Sequence, residues 1–532
     1  MTVIQPKPFF TEEEVNAVSF GKGNVSSCEK CKLSKGCISP KMKPTGDGRL
    51  NTLIIAEAPG AQEDEKNTQL IGEAGQYLRE LLREEGYDLD RDFFKTNSVI
   101  CRPPDNKKPT RKQLSLCKPN YMNFIKEKKP KFIWLLGAAA IESYFGDVKD
   151  EEGTVLTPTR WRGLCIPDHN VNAWVIPFFH PSYALRNRKD ALIQSQYKRD
   201  LQFAISCFKR EFPTKIDPIK KVVLLETFAE VKKALRRLVS NPPTYLAFDY
   251  ETTGIKPFNK GSEIACASFC YEEDRAFAFA ISHPKSGYSS SEREEVKTLW
   301  AKVLQNNSDK IAHNLKYEDI WSRVVFKTSP TYWHWCTMIA AHILDNRKNF
   351  SGLKFQAFIH WGVETYDKKV RPFLMSKREA DRNAVMEAPL NELMLYNGAD
   401  SLLTYKLFLL QQEQMKDKGP INFFLDGLLA LSDMQINGIC ASRKYYEEMD
   451  KQLDIQLRAV ENKLKASKGA EIFRRARGRD IKFTSDKDLR DLFFSIMKLP
   501  IVKETDSGLP AVDAETLLHI NSPIARLLTQ YS

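Results

Sequence analysis

Through the first two hundred positions, apolar residues come in short runs separated by polar loops and amphipathic stretches. Leu53–Ala56, Phe132–Leu136 and Trp174–Phe179 each run out into Gly, Pro or His, as strands do on leaving a sheet. Segments of helical periodicity, such as Gly75–Glu85, lie between them. Strands alternating with helices predict an α/β sheet that binds ligands at the carboxyl ends of its strands. The polar stretch Lys209–Lys221 (KREFPTKIDPIKK) carries two prolines and predicts a linker. Beyond it a strand is predicted at Tyr245–Tyr250 and a helix at Leu390–Gln411. A charged break near Gln412–Pro420 follows, and Phe423–Lys468 is mostly helical in pattern. The pattern therefore predicts units at 1–208, 222–415 and 416–532, with 209–221 as linker.

Composition adds three constraints. A chain of 532 residues is long enough for roughly three domains. Its longest nearly apolar run, Phe132–Ile141, falls far short of the roughly 20 residues that cross a bilayer. Met1–Phe10 lacks the charged start and apolar stretch of a signal peptide, so the expectation is a cytoplasmic protein with no membrane partner. A net charge of +12 suits a polyanionic partner, because neutralising phosphates releases counterions. The eleven cysteines, in a reducing compartment, suggest metal or cluster ligation where they gather.

Three short motifs carry the sharpest chemistry. In FDYETTG, Phe248–Gly254, strand alternation points Asp249 and Glu251 the same way. Two carboxylates held together repel unless a cation sits between them, and hard oxygen donors suit Mg²⁺ or Mn²⁺. In AHNLKYEDIW, Ala312–Trp321, Asn314 and Glu318 are one helical turn apart, with Asp319 about 100° further round. In YNGAD, Tyr396 and Asp400 are again one turn apart, so both can face one site. Such carboxylates could hold two metals that stabilise attacking and leaving oxygens, with the tyrosine orienting a water.

In this order and spacing, FDYET, HNLKYE and YNGAD resemble the three motifs of the proofreading exonucleases attached to family A DNA polymerases, phage-encoded ones especially. The resemblance covers residues 222–415 and implies a ribonuclease H-like α/β domain. It also implies two Mg²⁺ or Mn²⁺ ions held by Asp249, Glu251 and Asp400, with Tyr396 positioning the attacking water. The second motif's acid is usually Asp, four residues after the Asn. Here that position is Glu318 and Asp319 follows it, so the choice is between the two, with register favouring Glu318. Asn314 is expected on the substrate side. The implied substrate is the single-stranded 3′ end of DNA.

Cys28 and Cys31 form a CxxC, Cys101 and Cys117 follow much later, and Cys37 stands nearby as a spare. Four thiolates could bind Zn²⁺ or an iron–sulfur cluster. The surrounding stretches AEAPGAQED (Ala56–Asp64), IGEAG (Ile71–Gly75), TNSVICRPPDNKKPT (Thr96–Thr110) and HPSYALR (His180–Arg186) resemble the motifs of family-four uracil-DNA glycosylases. That resemblance implies a three-layer α/β/α domain with a 4Fe-4S cluster on Cys28, Cys31, Cys101 and Cys117. It places Glu57 in the water-activating loop, Asn97 at the base edge, and His180 and Ser182 at the leaving base. Arg186 would hold phosphate. A flipped base is read in a pocket of this kind. Where the family has a stacking Phe, this chain has Leu70, which offers no aromatic face, and stacking is worth about 1–3 kcal/mol per base. Ala56 stands in place of a Gly. These departures leave open a weak uracil glycosylase, one for a modified base, and a DNA-binding unit without chemistry.

From Gly427 onward the chain resembles the start of the polymerase thumb, in LSDMQINGI (Leu431–Ile439), Asp480–Phe494 and Lys503–Leu517. The basic group Arg474, Arg475, Arg477 and Arg479 is expected to grip primer–template phosphates. No palm or fingers motif occurs before Ser532, so the expectation is a chain that does not polymerise alone and whose palm and fingers are separate or downstream. The resulting expectation is a proofreading exonuclease within a family A polymerase, with a glycosylase-like unit in front. A non-catalytic DNA clamp and a base-excising glycosylase are the alternatives.

Overall fold

The structure is a computed structural model, and it describes residues 28–146, 158–376, 382–505 and 508–531. Met1–Phe10, and Asp506 and Ser507 within the last thumb-like motif, lie outside the described residues. The fold is mixed α/β followed by a helical segment, as the pattern predicts. Its compact units divide between Ile436 and Asn437. Residues 209–221 and 416–436 lie inside the first of them.

The first sheet has the order β2-β1-β3-β5-β4, from strands β1 (Thr52–Ala56), β2 (Phe93–Asn97), β3 (Phe132–Leu136), β4 (Ile166–Asp168) and β5 (Ala173–Phe178). All pairs are parallel except β4 with β5. β1, β3 and β5 are buried along their whole length, as both-face coverage by helices requires. Periodicity missed β2 and β4, since FFKTN and IPD carry too little apolar signal.

The second sheet has the order β11-β10-β7-β8-β9-β6. Its strands are β6 (Val222–Leu225), β7 (Tyr245–Thr252), β8 (Ile264–Glu272), β9 (Arg275–Ala280), β10 (Asp309–Ala312) and β11 (Trp333–Cys336). β7 runs two residues beyond the predicted strand, so Asp249 and Glu251 lie on one continuous ladder with β8, opposite Ser268 and Cys266. Phe248 and Tyr250 turn to the other face and pack with Trp300 and Trp321. The helix Leu390–Gln414 covers the carboxylate face, its Leu402 and Phe408 packed with Ala247 of β7.

The second unit is helical, with a core that includes Leu464, Phe473, Leu492, Phe493 and Leu528. Each arginine of its basic group has an acidic partner. Arg474 pairs with Asp480 at 2.6 Å, Arg477 with Asp491 at 2.6 Å and Arg479 with Asp488 at 2.7 Å, while Arg475 meets Glu471 at 2.5 Å.

A candidate two-metal nuclease centre and a thiol-lined pocket

β7 and the helix Leu390–Gln414 bring Asp249, Glu251 and Asp400 together, with carboxylate oxygens all within 4.8 Å of one another. Asp400 accepts hydrogen bonds from the hydroxyls of Tyr366 and of Tyr396, one turn earlier on its own helix. Asn397 Nδ2 donates to Asp249 at 2.6 Å, and the Asn397 carbonyl is held by Ser268 Oγ at 2.8 Å. Among the described residues Lys354 is a cation that faces this cluster. Its Nζ lies 2.6 Å from Asp367 and 5.0 Å from the centre of the Tyr396 ring, and it draws down the pKa of Asp249, Glu251 and Asp400.

The second motif resolves its own ambiguity. Asn314 is not inside the helix but caps it, in the left-handed conformation at φ 71°, which Asn tolerates. This corrects the expectation that Asn314 and Glu318 share a helical face. The helix Leu315–Val325 buries both acids of the motif. Glu318 is electrostatically coupled to Asp249 and Glu251, and its Oε2 finds no hydrogen-bond donor. Asp319 is committed elsewhere: Trp333 Nε1 donates to it at 3.2 Å and Arg323 approaches at 3.4 Å. Asp319 as a metal ligand is therefore corrected. A buried, unpartnered carboxylate oxygen beside three clustered carboxylates is a donor set that fits hard divalent cations. The contrast is measurable. Glu318→Gln is expected to lower nuclease turnover about 100-fold, and Asp319→Asn to lower the unfolding temperature while sparing turnover to within a few-fold. Equal losses of turnover would contradict the assignment.

Without a cation the site is strained electrostatically. Burial first, and then the neighbouring carboxylates, hold Asp249, Glu251 and Glu318 well above the usual carboxylate range. Burial also raises Asp400, to about 6. An acid with a raised folded pKa binds more protons folded than unfolded. Its destabilising effect is absent below the unfolded value of about 4 and fully present above the folded value. Chelated protein should therefore lose stability as pH rises from about 4 through 6, and a divalent cation should restore it. Adding Mg²⁺ is expected to raise the melting temperature more at pH 8 than at pH 5. An equal rise at both would contradict this.

In the first sheet the expected residues gather at the carboxyl ends of the strands. Glu57 follows β1, Asn97 ends β2 and His180 follows β5. Burial raises the Glu57 pKa, against the pull of Lys108 and Arg186. Burial also lowers His180, to about 4, so the ring is neutral. His180 Nδ1 accepts from the Ser182 amide at 3.2 Å and lies 2.7 Å from Ser182 Oγ, which leaves the ring proton on Nε2. Gly137, at φ +88°, allows this packing, since a Cβ there would stand 2.9 Å from His180 Cβ. Leu70 is corrected as a substrate contact. Its backbone is left-handed at φ 55°, and its side chain is packed in the apolar core with Tyr77 and Leu78.

Cys28, Cys31, Cys101 and Cys117 line one pocket with Leu33 and Val99. Cys37 is outside that lining and hydrogen-bonds to Cys101. N–H groups point at the thiols: Lys41 N at 3.3 Å from Cys101 Sγ, Ile100 N at 3.4 Å and Asn120 Nδ2 at 3.3 Å from Cys117 Sγ. Four thiols in one pocket, met by N–H groups, are a donor set that fits a zinc ion or an iron–sulfur cluster.

Sequence reasoning missed Asn397, Lys354 and Tyr366. Asn397 sits inside the YNGAD motif and could have been found there. Lys354 and Tyr366 carry no local signal, because they reach the site only through the path of the segment 353–367.

Comparison with known proteins covers most of the chain. Residues 44–202 match the uracil DNA glycosylase superfamily, and residues 222–415 match the 3′-5′ exonuclease family of the DNA polymerase A type. The type-4 uracil-DNA glycosylase of Thermotoga maritima is 34% identical over 206 residues, which is 38% of this chain and 99% of that protein. That of Pyrobaculum aerophilum is 34% identical over 184 residues, 33% of this chain and 87% of the other. A DNA polymerase of Bacillus phage SP01 is 22% identical over 551 residues, covering 91% of this chain and 58% of the polymerase. Among the described residues no helix is long and apolar enough to cross a membrane.

Proposed function

The chain belongs, through its N-terminal part, to the type-4 uracil-DNA glycosylase family and carries a polymerase-type 3′-5′ exonuclease domain fused behind it, and from that premise we propose that it is a two-metal exonuclease that proofreads DNA 3′ ends for a family A polymerase. The observation that carries the reading is the closely packed Asp249, Glu251 and Asp400, with the unpartnered Glu318 oxygen beside them. Asp249, Glu251, Asp400 and Glu318 would hold the Mg²⁺ or Mn²⁺ ions. Bound there, such ions neutralise the phosphodiester and make water a better nucleophile. Tyr396 and Tyr366 fix Asp400 through their hydroxyls, and Tyr396 would orient the attacking water. Asn397 fixes Asp249, and Lys354 balances the excess negative charge. The substrate is a frayed single-stranded 3′ end. Digestion of a labelled single strand with Mg²⁺, comparing wild type with Asp249→Ala, tests the reading. Equal digestion by both, or by neither, would overturn it.

The four pocket thiols would hold a 4Fe-4S cluster, which would act structurally by tying the CxxC turn to the helix Arg111–Lys128.

A second reading, base excision by the N-terminal unit, is favoured by the neutral His180 with its proton on Nε2. That group can donate to a developing charge on a departing base, with Glu57 handling water and Asn97 the base edge. Chelation separates the two activities. In EDTA, a uracil-containing strand is expected to break at uracil after alkali, and to stop doing so with His180→Ala. A wild-type reaction without breaks would rule out uracil as substrate.

A further inference from the structure

The helix Leu353–Trp361 belongs to the exonuclease segment, yet its two faces serve different parts of the molecule. On one face Phe355 and Ile359 are buried in the same apolar cluster as Trp161, Ile166 and Val175 of the glycosylase-like part. Phe358 stands edge-on to Phe145 at 6.5 Å and to Trp161 at 5.9 Å. On the other face Ala357 packs with Leu403 of the long helix, and Lys354 reaches Asp367 and the Tyr396 ring beside the acidic cluster.

Both ends of the segment are tied to the first sheet's surroundings. Arg347 Nη1 donates to the carbonyls of Arg160 at 2.7 Å and Arg162 at 2.9 Å. His169 Nε2 meets the Trp361 carbonyl at 2.8 Å. Gly362 closes the helix at φ +63°, and a Cβ there would stand 2.5 Å from the Pro167 carbonyl oxygen. Only glycine permits both that conformation and that approach. Four residues later Tyr366 donates to Asp400. The segment that sets Lys354 and Tyr366 against the acids is therefore seated on the glycosylase-like part.

We propose that the glycosylase-like part is the scaffold of the nuclease site, and that Phe358, Arg347 and Gly362 are positioning residues acting through Lys354. The proposal rests on the exonuclease reading above. It follows from the sensitivity of two-metal chemistry to placement, where a displacement of about 1 Å costs on the order of 100-fold. It makes the fused domain necessary to nuclease turnover whatever its own activity on bases.

The test uses the full chain, saturating Mg²⁺ and a 5′-labelled single strand. Phe358→Ala is expected to lower kcat at least about tenfold, with KM for the strand within about twofold and unchanged far-ultraviolet circular dichroism. Lys354→Met should do the same, and the doubly substituted protein should be no slower than Lys354→Met alone. Phe358→Leu should restore most of the rate. Arg347→Gln, which removes only two hydrogen bonds, gives a second reading should Phe358→Ala unfold. Wild-type kcat in both Phe358→Ala and Arg347→Gln, or losses that multiply in the double variant, would overturn the proposal. A wild-type rate untouched by Asp249→Ala would instead remove the exonuclease reading, and this inference with it.

Discussion

Asp249→Ala is expected to lower exonuclease turnover by about 10³-fold or more while leaving the protein folded. Asp249 lies at the centre of the site. It shares the face of β7 with Glu251, receives Asn397 Nδ2 at 2.6 Å, and is coupled electrostatically to Asp400 and Glu318. Removing it deletes one of the three clustered carboxylates that would hold the ions. The metal-free variant should be more stable than metal-free wild type at pH 8, because one of several mutually repelling, poorly solvated carboxylates is gone. Loss of turnover with gain of apo stability separates a lost ligand from a damaged fold. Melting curves in EDTA alongside turnover in Mg²⁺ check both halves.

The second large effect is expected at the thiols. Cys117→Ser should abolish absorbance in the visible blue and lower the unfolding temperature on the order of 10 °C, since cluster binding is folding free energy for the segments it joins. Cys37→Ser should leave both unchanged, because Cys37 lies outside the pocket that the other four line. Burial pushes the Cys101 thiol up to about 12 and raises Cys117, so assembly must displace protons and should be weaker at low pH. Retained colour in Cys117→Ser, or loss of colour in Cys37→Ser, would reassign the ligands.

What could be read from sequence follows the range of each interaction. Asp249 with Glu251, and Tyr396 with Asp400, are local: a period of two on a strand and one turn on a helix place each pair without tertiary information. Glu318 and Asp319 are adjacent, so register alone could only favour one. The decision came from Trp333 and Arg323, one strand away and one turn along, which claim Asp319. Leu70 was placed by alignment of motifs, but its left-handed backbone turns the side chain into the core. The arginine group looked like a phosphate clamp because the acids that pair with it, Asp488 and Asp491 among them, are distant enough to look unrelated. The prolines of Lys209–Lys221 mark an irregular connection between the two family matches; what sequence does not show is that the helix Leu353–Trp361 packs back against the first sheet's part.

The most direct measurement is the product ladder from a 5′-labelled single strand incubated with the full chain and Mg²⁺. The account predicts stepwise shortening from the 3′ end, abolished by EDTA and by Asp249→Ala, and halted when the 3′ terminus carries a non-hydrolysable linkage. Internal cuts, release of the 5′-terminal nucleotide, or a ladder that persists in EDTA would contradict it.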